Sequence, residues 1–499
     1  MIDQLPVTWI TITLNDISYV VRGITFPAFA KEEIHTPNNV CCLRTSNIQR
    51  EIEWDDVYFI DRKYVKRDDQ FVQTGDVLMS MANSYALVGK VAIASNVPSP
   101  TAFGAFLAAI RPTLIVDGKY LFHLLRTNRI QSELREGSTQ TTNIANISVS
   151  RLSGIEIPLA PLNEQKRIAD KLDAVLARVD ACRDRLDRIP TILKRFRLSV
   201  LAAAVTGVLT EEWRQLNPHL IDAEQLANSV HFEHEESGGH KSGNAAAPTE
   251  DVHDVSIDMF PSGWQILTLR DAVKPNRPIT YGILKPGPEL EKGVPYIRVA
   301  DFPGEKLNLS TIRNTSPKID ENFKRSRLLP GDLLLSIRGT VGRIIEIPAE
   351  LENANITQDT ARLTIQPNIN RLYVLWFLRS SIAQDRMKKA TKGVAVRGIN
   401  IGDVRALQLP LPSRSEQDEI VRRLESLFAY ADRLEARYKI ARTQVEKLTP
   451  SLLAKAFRGK LVPQDPTDEP ASELLARIAA SKSAEQPKTH AGKRQPKPA

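Results

Sequence analysis

The sequence predicts an α+β fold with an internal pseudo-twofold repeat: two similar domains joined by two long helices that form an antiparallel coiled coil. Three observations predict it. A segment recurs without a gap, residues 158–209 answering to 410–461. Inside each copy, apolar residues fall at alternating steps of four and three, the spacing of a heptad seam. Ahead of each copy lie short apolar runs such as VYFI, VLMSM, KVAIAS, DLLLSI and RIIEIP, punctuated by Gly, Pro, Asn and Asp and interrupted by helical stretches.

The first domain is expected over 1–157. It carries Trp9 just before a strand-like run, CLRTSNI at 42–48, GDVLMS at 75–80, the step Val88-Gly89-Lys90 and the helical YLFHLLRTNRIQ at 120–131. The first helix region covers 158–209. A polar linker, 210–258, includes the loop-like HFEHEESGGHKSGNAAAPTED. The second domain, 259–409, echoes the first with Trp264, YIRVADF at 296–302, GDLLLS at 331–336, Val341-Gly342-Arg343 and YVLWFLRSSIAQ at 373–384. The second helix region covers 410–461. The tail, 462–499, ends rich in Lys and Pro and is expected to be largely disordered.

The seam of the first helix is Ile168, Leu172, Val175, Val179, Cys182, Leu186 and Ile189. In the second it is Ile420, Leu424, Leu427, Ala431, Leu434, Tyr438, Ala441, Val445 and Leu448. The residues between are mostly charged, so the stripe is narrower than that of a helix lying on its own domain. The simplest partner for one seam is the other seam of the same chain; a homodimer through the same seams is the rival arrangement. Asn163 and Ser415 stand where N-caps are expected, and Glu164 and Glu416 follow in the first turn, where the helix dipole favours an acid. Pro190 interrupts the first pattern where the second has Arg442, and the second meets its proline only at Pro450. The first helix is therefore expected to kink or end early. A helix over 163–188 would be about 39 Å long at about 1.5 Å per residue, close to the roughly 34 Å of one DNA turn.

Composition bounds the function. Of the 499 residues, Lys and Arg outnumber Asp and Glu to leave a net charge of +8, compatible with a polyanion partner. No apolar run approaches the roughly 20 residues that span a bilayer, and the start, MIDQLPVTWITITLND, lacks a basic region followed by an apolar run. Cys41, Cys42 and Cys182 offer neither a C-x-x-C pair nor a disulfide framework, so a reducing cytoplasm is expected. His231, His234, His240 and His253 gather around the linker without ligand spacing, and no metal site is assigned. A phosphate-binding G-x-x-x-x-G-K-[ST] loop, a G-x-S-x-G elbow and an Asn/Asp-Pro-Pro-aromatic tetrapeptide are all missing. The only E-x-K candidate in the repeated region, Glu164-Gln165-Lys166, is explained by its place at a helix start. No catalytic residue and no cofactor bound by this chain is expected.

What remains are polar and basic residues on expected loops. In the first domain these are Arg44, Thr45 and Asn47; Asn83, Ser84, Tyr85 and Lys90; and Gln140, Thr141 and Asn143. In the second they are Arg298 and Asp301; Arg338, Thr340 and Arg343; and Lys389, Lys392 and Arg397. Arg, Asn and Gln pair bidentately with base edges, and Lys or Arg neutralise phosphates, so these are the candidate DNA-binding residues. For any one of them a solvated surface residue is the plain alternative.

In combination, IEIPLAPLNEQKRIADKLD, LQLPLPSRSEQDEIVRRLE, the GDVL and GDLL turns and the helix ends LAAAVTG and LAKAFRG resemble the specificity subunit of type I restriction–modification enzymes over nearly the whole chain. The resemblance implies that each variable domain is a target recognition domain reading one half of a split, asymmetric double-stranded DNA sequence. It implies paired helices that set the spacer. It also implies two modification subunits carrying S-adenosylmethionine that methylate adenine, and restriction subunits, translocase-nucleases working with ATP and Mg. This chain would catalyse nothing itself. Two other readings stand beside it: the recognition subunit of a related system with methyltransferase and nuclease fused in one partner, and a coiled-coil scaffold that binds no DNA.

Overall fold

The computed structural model describes residues 5–98, 100–140, 144–220, 222–236, 257–392 and 397–477. It divides into two compact units, Met1–Asp187 with Lys439–Ala499, and Arg188–Tyr438. Each unit holds one variable block and a stretch of both long helices.

Each block is zipped shut where the chain enters and leaves it. Ile10–Thr13 pairs antiparallel with Glu156–Leu159, and Gln265–Thr268 pairs in the same way with Gln408–Leu411. The expected domain boundaries at 157 and 409 therefore fall inside strands that belong to the blocks.

The main sheet of the first block is antiparallel, in the order Ser18–Arg22, Leu107–Pro112, Val77–Ser80, Val91–Ile93. The second block repeats that order with Thr280–Tyr281, Thr360–Leu363, Leu333–Ser336 and Ile344–Glu346. The central strands are buried on both faces, which is why they read as unbroken apolar runs. The Gly-Asp turns start them. Gly75 and Gly331 take positive φ (+93° and +85°), open to glycine at no steric cost. Asp76 and Asp332 then accept the backbone N–H of Gln73 and Leu329, each at 2.8 Å. A second sheet in each block contains one parallel pair, Asn39–Leu43 with Thr101–Phe103 and Val294–Ile297 with Asn355–Ile356. Cys41 and Cys42 lie on the first of these as free thiols, and burial pushes Cys42 up to about 12.

The helical runs each split in two: Gly118–Leu125 and Asn128–Glu136, then Arg371–Arg379 and Ser381–Lys389. Asp117 and Asn370 cap the first of each pair.

The long helices run over Leu162–Val205 and Arg414–Ala456, 44 and 43 residues. They pass through Pro190 and Pro450, so the first helix does not end early. They pair antiparallel within the chain. Asp187 forms an ion pair with Arg442 in one unit, and Arg197 meets Asp432 (2.5 Å) and Glu435 (3.0 Å) in the other.

Three details of the helix reading are corrected. The second helix is capped by Ser413, whose Oγ accepts the N–H of Glu416 at 3.3 Å, and not by Ser415, which lies inside the first turn. Asn163 likewise lies inside its helix, which begins at Leu162. The seam is also not uniform. Ile168, Leu172 and the uncounted Leu176 join the core of the first block, while Ile420, Leu424 and Val421 join that of the second. The first turns thus lie on their own domain, as a wide stripe. Cys182 and Leu448 are exposed, so neither closes the seam.

The repeated Glu-Gln explains how block and helix are locked. Glu164 Oε2 accepts the indole N–H of Trp9 at 2.9 Å, and Glu416 Oε2 that of Trp264 at 3.0 Å. Gln165 and Gln417 accept the backbone N–H of Asp117 (2.9 Å) and Asn370 (2.8 Å) and donate to Ala160 and Pro412 carbonyls. Tyr120 and Tyr373, both fully buried, donate to Pro158 and Pro410 carbonyls.

The far end of the opposite helix completes each lock. Gly459, with positive φ, packs on Pro6, and Gln464 donates to Glu164 at 2.5 Å. Gly207, with positive φ, packs on Pro261, while Thr210 (2.7 Å) and Arg214 (2.5 Å) donate to Glu416.

The linker and tail are more ordered than expected. Part of 210–258 forms helices Glu211–Leu216 and Ala223–Glu236, and Ala227 and Val230 enter the second block's core. In the tail, Ala471 and Leu474 enter the first block's core, and Asp468 pairs with Arg167 at 2.7 Å. His231 lies on the linker helix; His240 and His253, with the tail beyond residue 477, lie outside the described residues. Among the described residues no group of three or more potential metal ligands occurs, and no helix is long and apolar enough to cross a membrane.

Candidate nucleic-acid interface

The candidate residues sort into two kinds. The first kind braces a loop. Arg44, Thr45 and Asn47 lie on or beside the 3-10 turn Thr45–Asn47. Asn47 is buried, accepts the Arg44 N–H at 2.9 Å and donates to the carbonyls of Glu53 and Asp56. Arg44 stacks its guanidinium 4.3 Å from the Tyr58 ring centre, donates to the Tyr58 hydroxyl at 2.6 Å and pairs with Asp56. Val299–Asp301 repeats this turn in the second block. Asp301 is fully buried and accepts from the Arg298 backbone (2.7 Å) and guanidinium (2.6 Å), which strengthens that guanidinium's hold on its proton. Asn47 and Asp301 are thus buried in the braces of their turns and not exposed on them.

Lys90 and Arg343, the basic members of the Val-Gly-basic steps, also serve the turns. Lys90 Nζ donates to Gln49 Oε1 at 2.7 Å, and Arg343 reaches the Phe302 carbonyl at 3.5 Å. Their glycines, Gly89 and Gly342, have positive φ and are held by Gln131 and Gln384, each donating to the glycine carbonyl at 2.8 Å. These glutamines close the matched runs YLFHLLRTNRIQ and YVLWFLRSSIAQ, so the signal for them was present as a repeated final residue.

The second kind is gathered at one end of each main sheet. In the first block, Ala82–Asn83 pairs with Ala145–Asn146, which pairs with Thr139–Gln140. This puts Gln140, Ala145 and Asn83 in one row across three strands, with Ser84 and Tyr85 following, and Ser84, Tyr85 and Gln140 are exposed. Thr141 and Asn143 lie outside the described residues. In the second block, Arg338 and Lys392 both bridge to Gly398, and Gly339 N–H donates to the Arg397 carbonyl at 2.9 Å. Arg338, Thr340, Lys392 and Arg397 are exposed together. Arg338 touches Gln358 at 3.1 Å, a polar neighbour that no sequence pattern marked. Lys389 is exposed in the basic last turn of Ser381–Lys389.

The two clusters share a frame. Met81 N–H donates to the Phe106 carbonyl and Ile147 N–H to the Met81 carbonyl, both at 2.8 Å. Ile337 N–H donates to the Asp359 carbonyl at 2.8 Å and Ile399 N–H to the Ile337 carbonyl at 2.9 Å. The backbone repeats while the exposed side chains do not. An exposed set of guanidinium, ammonium and amide groups on a fixed frame is suited to reading base edges and phosphates.

The family model for the type I restriction modification DNA specificity domain matches residues 6–191 and again 261–442. The type I restriction enzyme EcoBI specificity subunit of Escherichia coli is 35% identical over 356 residues, covering 70% of this chain and 69% of that protein. The EcoKI specificity subunit of Escherichia coli strain K12 is 29% identical over 507 residues, covering 96% of this chain and 97% of its own. Among solved structures, the HsdS subunit from Thermoanaerobacter tengcongensis aligns over 92% of this chain and 99% of its own, with a TM-score of 0.56 at 19% identity. A chain from a study of type I R-M complex assembly aligns over 92% of this chain and 100% of its own, with a TM-score of 0.62 at 19% identity. At that identity the likeness concerns the fold.

Proposed function

Because the chain belongs to the type I restriction-modification DNA specificity family, we propose that each block reads one half of a split double-stranded DNA sequence and that the two halves are unlike. The observation that carries this reading is the duplicated loop cluster, whose frame repeats while its exposed side chains differ. In the second block the guanidiniums of Arg338 and Arg397 are suited to guanine O6 and N7, with Lys389 and Lys392 on phosphates. In the first, the amides of Asn83 and Gln140 are suited to adenine. The braced turns keep these loops in place before DNA arrives, which lowers the ordering entropy that binding requires. The paired helices set the spacing of the two half-sites.

The chain supplies recognition and no catalysis. Two modification subunits bring S-adenosylmethionine and methylate adenine. Restriction subunits bring ATP-driven, Mg-dependent translocation and cleavage. Work in a reducing cytoplasm agrees with the three free thiols.

Sequencing of N6-methyladenine in the host, with and without this gene, tests the proposal. The expected result is a motif of two unlike halves separated by unspecified bases, which disappears when the gene is deleted. A palindromic motif, or one that survives the deletion, overturns it.

A further inference from the structure

The same end of the main sheet is apolar in one block and cationic in the other. In the first block, Ser80 pairs with Leu107, so the segment leaving one strand and the turn entering the next emerge together. The strand Ala145–Asn146, just ahead of Ile147, joins them through Met81, which is itself buried. Besides the polar Ser84 and Gln140, these three segments hold out large apolar side chains: Phe106 is 64% exposed, Tyr85 48%, Ile144 47% and Leu87 42%. At the corresponding points the second block holds out Arg338, Thr340, Lys392 and Arg397, and its residue in the place of Phe106 is Asp359. Arg338, Lys392 and Arg397 around that acid leave the second tip cationic on balance, which suits DNA, and the shared backbone frame puts the first block's tip in the corresponding place.

We propose that Phe106, at the same end of the sheet as Tyr85, is a specificity-determining residue of the first block that recognises thymine through its C5-methyl group. This rests on the functional reading above. The thymine methyl is the one apolar feature on the major-groove edge of a base pair, and only an apolar side chain gains by covering it. Asn83 and Gln140, beside the tip, supply the polar contacts that fix register. The second block, with guanidiniums at its tip, has no such requirement.

The test uses the full chain in complex with its modification subunits. Once the methylated motif is known, each thymine of the duplex is replaced in turn by deoxyuridine, which removes only the methyl group. Uracil at one or more thymines of the first half-site should weaken binding about fourfold, the effect of one buried methyl-sized group. Uracil throughout the second half-site should be tolerated. The penalty should vanish with Phe106→Ala, while Phe106→Leu should retain part of it.

A first half-site in which uracil is tolerated everywhere overturns the inference and leaves the functional reading standing. So does a Phe106→Ala complex with an unchanged uracil penalty, or one whose only defect is weaker assembly with the modification subunits, which would make the tip a protein contact. The absence of any methylated motif would overturn the functional reading, and this inference with it.

Discussion

Glu164 and Glu416 occupy equivalent places and accept the same indole bond, but their remaining partners differ. Glu416 accepts from the Arg214 guanidinium at 2.5 Å, and in the corresponding place Glu164 accepts from the neutral amide of Gln464, while Arg167 acts on it without a hydrogen bond and is itself paired with Asp468. Burial accordingly raises the Glu164 carboxyl above its ordinary range, against the bonds from Trp9 and Gln464. Removing Glu416 leaves a largely buried guanidinium without its carboxylate, a loss of about 3–5 kcal/mol. Removing Glu164 strands an indole N–H and an amide, about 1–3 kcal/mol. Glu416→Ala should therefore loosen its lock more than Glu164→Ala does. Hydrogen exchange in segments 207–216 and 459–468 during mild urea unfolding reads the two locks separately. Equal protection losses, or the reverse order, would show that the cation adds nothing. The Glu-Gln repeat was plain in the sequence, but its role was not, because Trp9 and Gln464 stand far from Glu164 in the chain.

The helix Gly118–Leu125 docks on the first long helix through a polar contact at the edge of an apolar core, with His123 buried and Asp173 partly exposed. His123 shares a 2.7 Å hydrogen bond with Asp173, and Lys119 donates to the same carboxylate at 2.8 Å. His123 Nδ1 is buried without a hydrogen-bond partner among the described residues. Burial lowers the His123 pKa, and the nearby Arg126 guanidinium lowers it further, while Asp173 partly opposes both. The folded state thus prefers the neutral ring. That preference stabilises the fold fully above the unfolded histidine pKa of about 6.5 and is lost as pH falls through the lower folded value. Between pH 7.5 and 5.5 the unfolding temperature of the first unit should drop more in the wild type than in His123→Gln, which keeps a donor for Asp173. Parallel pH profiles would dismiss the idea. At this scale helix existence was legible from the four-three alternation, and helix starts were not. Ser413 and Ser415 both suit a cap, and the choice falls to Ser413 because Glu416 and Gln417 must then face the block in the first turn. The narrow stripe misled over the first turns, where Glu164, Gln165 and Ala169 widen the buried face without being apolar enough, or spaced well enough, to be counted.

The duplication was legible because it is gapless over 158–209 and 410–461, and it continues further than that alignment shows. After Gly207 the chain buries Ala223 and packs Leu226 on the second block's core, and after Gly459 it returns to the first block's core through Ala471 and Leu474. The shared Ala-x-x-Leu hides behind a change in spacing and a polar composition that reads as loop. The segment 461–477 is therefore a strap. Gln464 bonds Glu164, Asp468 pairs with Arg167, Ala471 N–H donates to the Thr8 carbonyl at 3.1 Å, and Leu474 is buried. Burying one leucine stabilises by about 1.5–3 kcal/mol, and the partly exposed ion pair adds up to about 1 kcal/mol. A chain ended after Lys460 should accordingly unfold its first unit at a lower temperature than a chain ended after Arg477. The transition of the second unit should not move, because its strap is the internal segment 210–230. Leu474→Ala in the full chain should reproduce part of the shift. Calorimetry of the three proteins decides the matter: identical first transitions would mean that the strap rests on the core without holding it, and a fall in both transitions would mean that the two units do not melt independently.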